Sequence, residues 1–266
     1  MLKGLYTAYT GMTEEQRRLD VLTNNLANAN TTGYKKEALT NQSFDEMMAI
    51  RIMDTSSNTY ATDIGYMSLG TKIGQTYTDW AMGGFKNTEN TYDLAIGGNG
   101  FFAIEYTNKA GETSVKYTRD GNFTVDIEGY LRTCDGDYVL NVNGARNTQY
   151  GPGNRVQLDP NQGVYINGLG EVIQDGATVS QIGLVDFENY DFLEKYGENL
   201  YDTIDGATMI DTTAEINQGY LETSNVNTVS EMVEMITIQR AYEAGQKVIQ
   251  TMDSTLDKAV NQVGKI

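Results

Sequence analysis

The patterns in this chain that could do chemistry are a glycine-rich run and groups of carboxylates. The 266 residues include 36 acidic and 19 basic side chains, no histidine, and one cysteine, Cys134. Without imidazole the usual neutral-pH base and the usual metal ligand are both missing, so Ser-His and Cys-His nucleophile systems are excluded. One cysteine makes neither an internal disulfide nor a thiolate metal cluster, and Cys134 is expected to be a small buried residue. Three patterns remain. Gly97-Gly98-Asn99-Gly100 has the composition of a phosphate cradle, but it leads into Phe101-Phe102 on a strand and lacks a Gly-Lys-Ser/Thr continuation. Asp120 to Asp126 and Asp135 to Asp137 set carboxylates at alternate positions, without the glycine and closing glutamate that a calcium loop needs there. Turn chemistry accounts for them. Carboxylate pairs suited to glycoside hydrolysis must arise by chance among so many acids, and chain spacing does not set their separation. The chain is therefore expected to be no enzyme and to need no cofactor and no metal.

The balance of charge narrows the partners. A net formal charge of −17 and a pI near 4.3 oppose any phosphate backbone, so no nucleic acid is expected as a partner. No run of eighteen apolar residues occurs, so no membrane insertion is expected. The N-terminus lacks the apolar core and small-residue cleavage site of a secretory signal. Residence in the cytosol and export without cleavage both fit that pattern.

The glycine and acidic motifs sit on a stretch with its own texture. From Met82 onward, short apolar runs alternate with Asn99-Gly100, Asp120-Gly121, Asp135-Gly136, Asn143-Gly144, Asn167-Gly168, Asp175-Gly176 and Asp205-Gly206. These dipeptides tolerate the positive φ of tight hairpins. Strands are expected at 92–96, 101–106, 123–127, 130–133, 138–142, 164–166, 172–174 and 181–187, which makes an antiparallel β domain. No repeat of fixed period is visible, which disfavours a propeller or a solenoid.

Both ends of the chain read as helix. Met235, Ile238, Tyr242, Gly245, Ile249, Met252, Leu256, Ala259, Val263 and Ile266 fall at alternating three- and four-residue steps, the spacing of a coiled-coil seam. Thr228 and Glu231 have the spacing of a capping box, so the helix is expected to start near residue 229. Running to the end of the chain it would be on the order of 55 Å long. At the other end Leu5, Ala8, Met12, Leu19, Leu22, Leu26 and Ala29 repeat the spacing, interrupted at Glu15. That first helix is expected to fray at Asn28 to Thr32, with Gly33 as its C-terminal cap and Lys35 and Lys36 near the negative end of its dipole. Ser43 with Glu46, followed by Phe44, Met47, Met48 and Ile52, predicts a short second helix over 44–53. Residues 54–80 are expected as an extended connector ending at Trp80. Asp253 and Asp257, one turn apart, make Arg17 and Arg18 their candidate partners in the same or a neighbouring subunit.

Several stretches resemble the bacterial flagellar rod and hook family: NNLANANTTGYKK at 24–36, DLAIGGNGFF at 93–102, YTRDGNFTVDIEGYL at 117–131, YLETSNVNTVSEMVEMITIQRAYE at 220–243 and GQKVIQTMDSTL at 245–256. They touch both ends and the middle. Length and the segment after the first helix resemble a rod protein, of the distal-rod or proximal-rod type, rather than the longer hook subunit. Gly245 departs from the resemblance, which more often has asparagine there. Glycine costs about 1 kcal/mol in a helix interior relative to alanine, so either a neighbouring backbone comes close or the helix is locally soft.

The resemblance implies a structural subunit of the flagellar basal body, exported through the flagellar export apparatus without a cleaved signal peptide and assembled into a helical tube that transmits torque from motor to hook. Copies of itself and other rod and hook subunits are the implied partners. The expected fold class is α+β: long N- and C-terminal helices pairing as a coiled-coil-like module, with an inserted antiparallel all-β domain. The expected divisions are 1–34 for the N-terminal helix, 35–81 for the short helix and connector, 82–221 for the β domain and 222–266 for the C-terminal helix. The expected subunit-interface residues are Leu5, Met12, Leu19, Leu22 and Leu26, with Met235, Ile238, Tyr242, Ile249, Met252, Leu256 and Val263. The terminal helices are expected to be poorly ordered in a free subunit and to fold on neighbours. A hook or hook-associated subunit, and a carbohydrate-binding module resting on the tyrosines of 82–221, are the alternative readings.

Overall fold

The computed structural model describes residues 2–52, 61–197 and 199–264. The backbone is α+β. Helix α1 covers Leu2–Ala27. Four strands follow: β1 (Glu37–Ser43), β2 (Met47–Ile52), β3 (Ala61–Met67) and β4 (Thr71–Thr78). Next come β5 (Phe85–Asn87), β6 (Leu94–Gly97), β7 (Phe101–Thr107), β8 (Thr113–Thr118), β9 (Phe123–Val125), β10 (Leu131–Thr133) and β11 (Tyr138–Val139). A short helix α2 (Val142–Asn147) precedes β12 (Tyr165–Ile166), β13 (Glu171–Gln174), β14 (Ala177–Gln181) and β15 (Leu184–Phe187). After β16 (Leu193–Gly197), β17 (Leu200–Thr203), β18 (Met209–Ile210), β19 (Glu215–Gln218) and β20 (Tyr220–Glu222), helix α3 spans Thr228–Lys258 and relaxes into a π-helical turn at Ala259–Val263. No helix among the described residues is long and apolar enough to cross a membrane.

The chain forms two compact units. A helical unit gathers Met1–Ala27, Lys36–Asp79 and Val226–Ile266, and a β unit gathers Asn28–Lys35 and Trp80–Asn225. The segment 28–35, expected to trail from the first helix, belongs to the β unit.

In the helical unit the expected short helix at 44–53 is absent among the described residues. Met47–Ile52 is strand β2, antiparallel to β3, with Met48 opposite Tyr66 and Ile50 opposite Asp63. The three- and four-residue spacing of Phe44, Met47, Met48 and Ile52 is outweighed by a two-residue one: Met48 and Ile50 share one side of a strand, and β-branched residues favour that state. Ser43 cannot cap a helix because it ends β1, opposite Thr71 of β4. The expected connector is likewise two strands over most of its length, and its residues 54–60 lie outside those described. Asn227, rather than Thr228, is the N-cap of α3, its side chain accepting hydrogen bonds from the Val229 and Ser230 amides.

The β unit is built around β7, whose first five residues are all buried. Alternate side chains serve two cores, as the pleat requires. Phe102 packs with Leu94, Ile96, Phe123 and Leu131, while Phe101 and Ala103 pack with Val115, Tyr117, Val185 and Tyr201. Trp80 caps the second core, its ring 4.9 Å from Tyr201 and 5.4 Å from Phe101. Asp175 and Gly176, with φ of 51° and 79°, turn β13 into β14 as the Asp-Gly pair predicts. Asn143-Gly144 does not turn a hairpin: it lies within α2, where Asn141 caps the first turn through the Gly144 amide. Cys134, expected to be buried, is exposed, because it lies in the turn between β10 and β11. Strand β8 escapes the sequence reading because only Val115 and Tyr117 among Thr113–Thr118 are apolar.

A buried ionic node closes this unit. Glu222 on β20 accepts hydrogen bonds from Lys35 Nζ at 2.6 Å, Arg119 Nη1 at 3.2 Å and the Gly83 amide at 3.0 Å. All three side chains are almost fully buried. Gly33, expected as a helix cap, serves this node. Its amide donates to the Glu222 carbonyl at 2.8 Å, and with φ of 65° a Cβ there would sit 2.5 Å from the Arg119 backbone. Removing one partner of a buried ion pair costs about 3–5 kcal/mol because the other charge stays buried. Glu222→Gln, which leaves two cations uncompensated, should therefore lower the stability of the β unit by that amount. Urea unfolding followed by Trp80 fluorescence measures it, and a loss below about 1 kcal/mol, the scale of an exposed pair, would contradict the assignment.

Candidate assembly interface

Within the helical unit α1 and α3 lie against each other in opposite directions. Two reciprocal seats fix the register. Met12 of α1 occupies the space beside Gly245, where a Cβ would meet Met12 Cγ at 2.7 Å, and Met252 of α3 occupies the space beside Gly4, where a Cβ would meet Met252 Cε at 2.6 Å. Close approach is thus the reason for Gly245. Between these seats and the other end of the pair, Leu19 and Ile238 line a shared groove with Tyr242, edged by Glu15, Gln16, Gln239 and Glu243. Leu22 and Ile238 are buried. Leu5, Met12, Leu19 and Leu26 on α1 are half-buried, as are Met235, Ile249, Met252 and Leu256 on α3. Tyr242 remains 37% exposed. Val263 lies in the π-helical turn, and its side chain and Ile266 lie outside the described residues.

Polar groups lock the far end of the pair. Glu231, fully buried near the start of α3, is 2.5 Å from Lys36 Nζ and accepts from Asn25 Nδ2 of α1 at 3.4 Å. Asn25 also exchanges hydrogen bonds with the Glu37 backbone, donating at 2.8 Å and accepting at 3.0 Å. The Glu231 hydrogen bond raises the Lys36 pKa, with burial pulling the other way. Its stabilising effect is therefore fully present below the ordinary lysine range and fades as pH rises through the raised value. By spacing Glu231 is half of a capping box, and its buried role surfaces only through partners far away in the chain. Arg18 reaches Glu234 at 3.0 Å and Glu15 at 3.3 Å, and Arg17 lies 3.9 Å from Asp20. Within the subunit Asp253 and Asp257 are not the partners of Arg17 and Arg18, because the antiparallel register puts them at the other end of α1.

A second apolar stripe was not apparent from the seam. Val229, Met232, Val233 and Ile236 are 49 to 69% exposed. Their spacing of three and four residues puts them on one face, and at about 100° per residue that face is opposite Met235, Ile238 and Tyr242. Strands β2 and β3 add Met48, Ile50, Ile64 and Tyr66, all exposed.

Comparison with known proteins decides the family. Residues 5–35 match the flagella basal body rod protein model, residues 95–181 the flagellar hook protein FlgE/F/G D1 domain, and residues 217–263 the flagellar basal body rod FlgEFG protein C-terminal model. The flagellar basal-body rod protein FlgG of Bacillus subtilis is 35% identical over 280 residues, covering 98% of this chain and 99% of that one. The FlgF rod protein of Caulobacter vibrioides is 35% identical over 268 residues, covering all of both chains. The FlgG of Buchnera aphidicola from Schizaphis graminum is 34% identical over 276 residues, covering 97% of this chain and 98% of that one. The chain belongs to the flagellar basal-body rod protein family. It is a structural subunit of the rod in the flagellar basal body.

The seat at Gly245 sets two effects of similar size against each other. Alanine gains about 1 kcal/mol of helix propensity, while overpacking against Met12 costs about 1–3 kcal/mol. Gly245→Ala should leave the helices less stable by roughly 1 kcal/mol, and in a Met12→Ala background the same change should become stabilising by about 1 kcal/mol. Thermal melts at 222 nm across the four proteins test this. Equal stabilisation in both backgrounds would contradict the seat.

Proposed function

We propose that the chain builds the rod by self-assembly through its terminal helices, which pair as a coiled-coil-like module, into a helical tube that carries torque from motor to hook. The observation that carries this reading is the apolar stripe Val229, Met232, Val233 and Ile236, which stays exposed although the opposite face of α3 is already taken by α1. A helix apolar on two faces needs a second partner. Interface contacts between different patches, repeated by a rotation that does not close, generate an open helix. Leu5, Met12, Leu19, Leu22, Leu26, Met235, Ile238, Tyr242, Ile249, Met252 and Leu256 set the geometry of the pair, and the outer stripe meets a neighbouring copy or another rod or hook subunit. The helices complete their ordering in that contact. The subunit reaches its place through the flagellar export apparatus without a cleaved signal peptide. The β unit, with its own two cores, takes no part in driving assembly, and no catalysis is assigned to it.

Concentrated full-length chain should form tubular polymers visible by electron microscopy. Ile249→Asp on the paired face and Ile236→Asp on the outer stripe should both abolish sedimentable polymer, since each buries an unpaired charge at a contact. The β-sheet circular dichroism and the Trp80 environment should stay unchanged in both. Tubes formed by both variants, or loss of the β-sheet signal, would contradict the separation of roles.

A further inference from the structure

The net charge of −17 is divided unequally. The helical unit holds ten basic and fourteen acidic residues, a net −4, whereas the β unit holds nine basic and twenty-two acidic residues, a net −13. The imbalance is also on the surface. Glu128, Asp135, Asp175, Glu188, Asp205 and Glu215 of the β unit are all exposed, while several of its basic groups, Lys35, Lys116, Arg119 and Arg155, are drawn into ion pairs with Glu222, Asp202 and Glu105. Attraction and repulsion are therefore segregated. The apolar stripe is on the nearly neutral helical unit, and the like charge that two copies bring together is on the β unit.

We infer that the acidic β unit restrains polymerisation, so that ionic strength gates the assembly of this chain. The inference rests on the assembly reading and adds the control that acts on it. Net charge far from zero keeps proteins apart. The screening length falls from about 30 Å at 0.01 M salt to about 10 Å at 0.1 M, so β units that repel one another at low salt are largely screened at moderate salt. Apolar contacts on α3 persist across that range.

The test compares the full-length chain with a variant carrying Glu128→Gln, Asp135→Asn, Asp175→Asn, Glu188→Gln, Asp205→Asn and Glu215→Gln. Each change removes a charge while keeping a polar, turn-compatible side chain. Sedimentation in sodium chloride from 10 to 300 mM should show the threshold concentration for polymer falling at least tenfold in the natural chain. In the variant it should be low already at 10 mM and change less than threefold. Light scattering from dilute chain reads the repulsion without polymer. A chain that never forms polymer, but loses repulsion in the variant, would overturn the assembly reading and leave the electrostatic assignment to the β unit standing. Repulsion and threshold that are the same in both chains at 10 mM would overturn the inference.

Discussion

The closeness of α1 and α3 is the constraint on which the helical unit depends. Neither helix carries a broad apolar face, and the contact between them is a narrow stripe with methionines set into glycine notches at Gly4 and Gly245. A glycine in each helix gives up propensity so that the axes can approach. The gain is a single register. Shifting α3 by one turn along α1 would take both methionines out of their notches and leave buried Glu231 without Lys36 and Asn25. That polar node is expensive to bury and expensive to break, which is how such groups come to specify one arrangement among several apolar alternatives.

Adjacent lysines divide the labour at the boundary in the sequence between the two units. Lys35 serves Glu222 within the β unit, and Lys36 serves Glu231 within the helical unit. The two carboxylates lie nine residues apart in the chain, one on the last strand and the other in the first turn of α3. Each unit thus pairs a buried carboxylate with its own lysine. The β unit needs no help from the helices to fill its interior, since β7 already supplies side chains to two apolar cores. Its surface is then free to carry charge, as the exposed Glu128, Asp135, Asp175, Glu188, Asp205 and Glu215 do.

The terminal helices and the turn-rich centre were legible in the sequence because their signals are local: three-four spacing in the helices, and Asp-Gly and Asn-Gly pairs between short apolar runs. What could not be read depended on distant partners. Met47–Ile52 fits a helix or a strand by spacing, and only the pairing with 61–67 chooses between them. Glu231 fits a capping box, but Asn227 takes the cap and frees Glu231 for Lys36. Gly33 has the residue type of a helix cap, yet α1 ends at Ala27, and what requires glycine there is the close approach of the Arg119 backbone, far along the chain. Among the interface residues, the seam was visible as periodicity. The same periodicity led to the expectation that the two terminal helices pair, but it did not single out Val229, Met232, Val233 and Ile236 as the face that α1 leaves uncovered. The three-four spacing of those four was present in the sequence, overshadowed by the longer stripe beside it.

The central claim is that assembly resides in the helical ends, and it is tested most directly in swimming cells. A strain lacking its own copy of this rod subunit is supplied with a chain trimmed of residues 1–27 and 228–266, and its motility is scored beside that of the same strain supplied with the full chain. The account predicts that only the full chain restores swimming, even where the trimmed protein accumulates with its β unit folded. Cells that swim on the trimmed chain would contradict it.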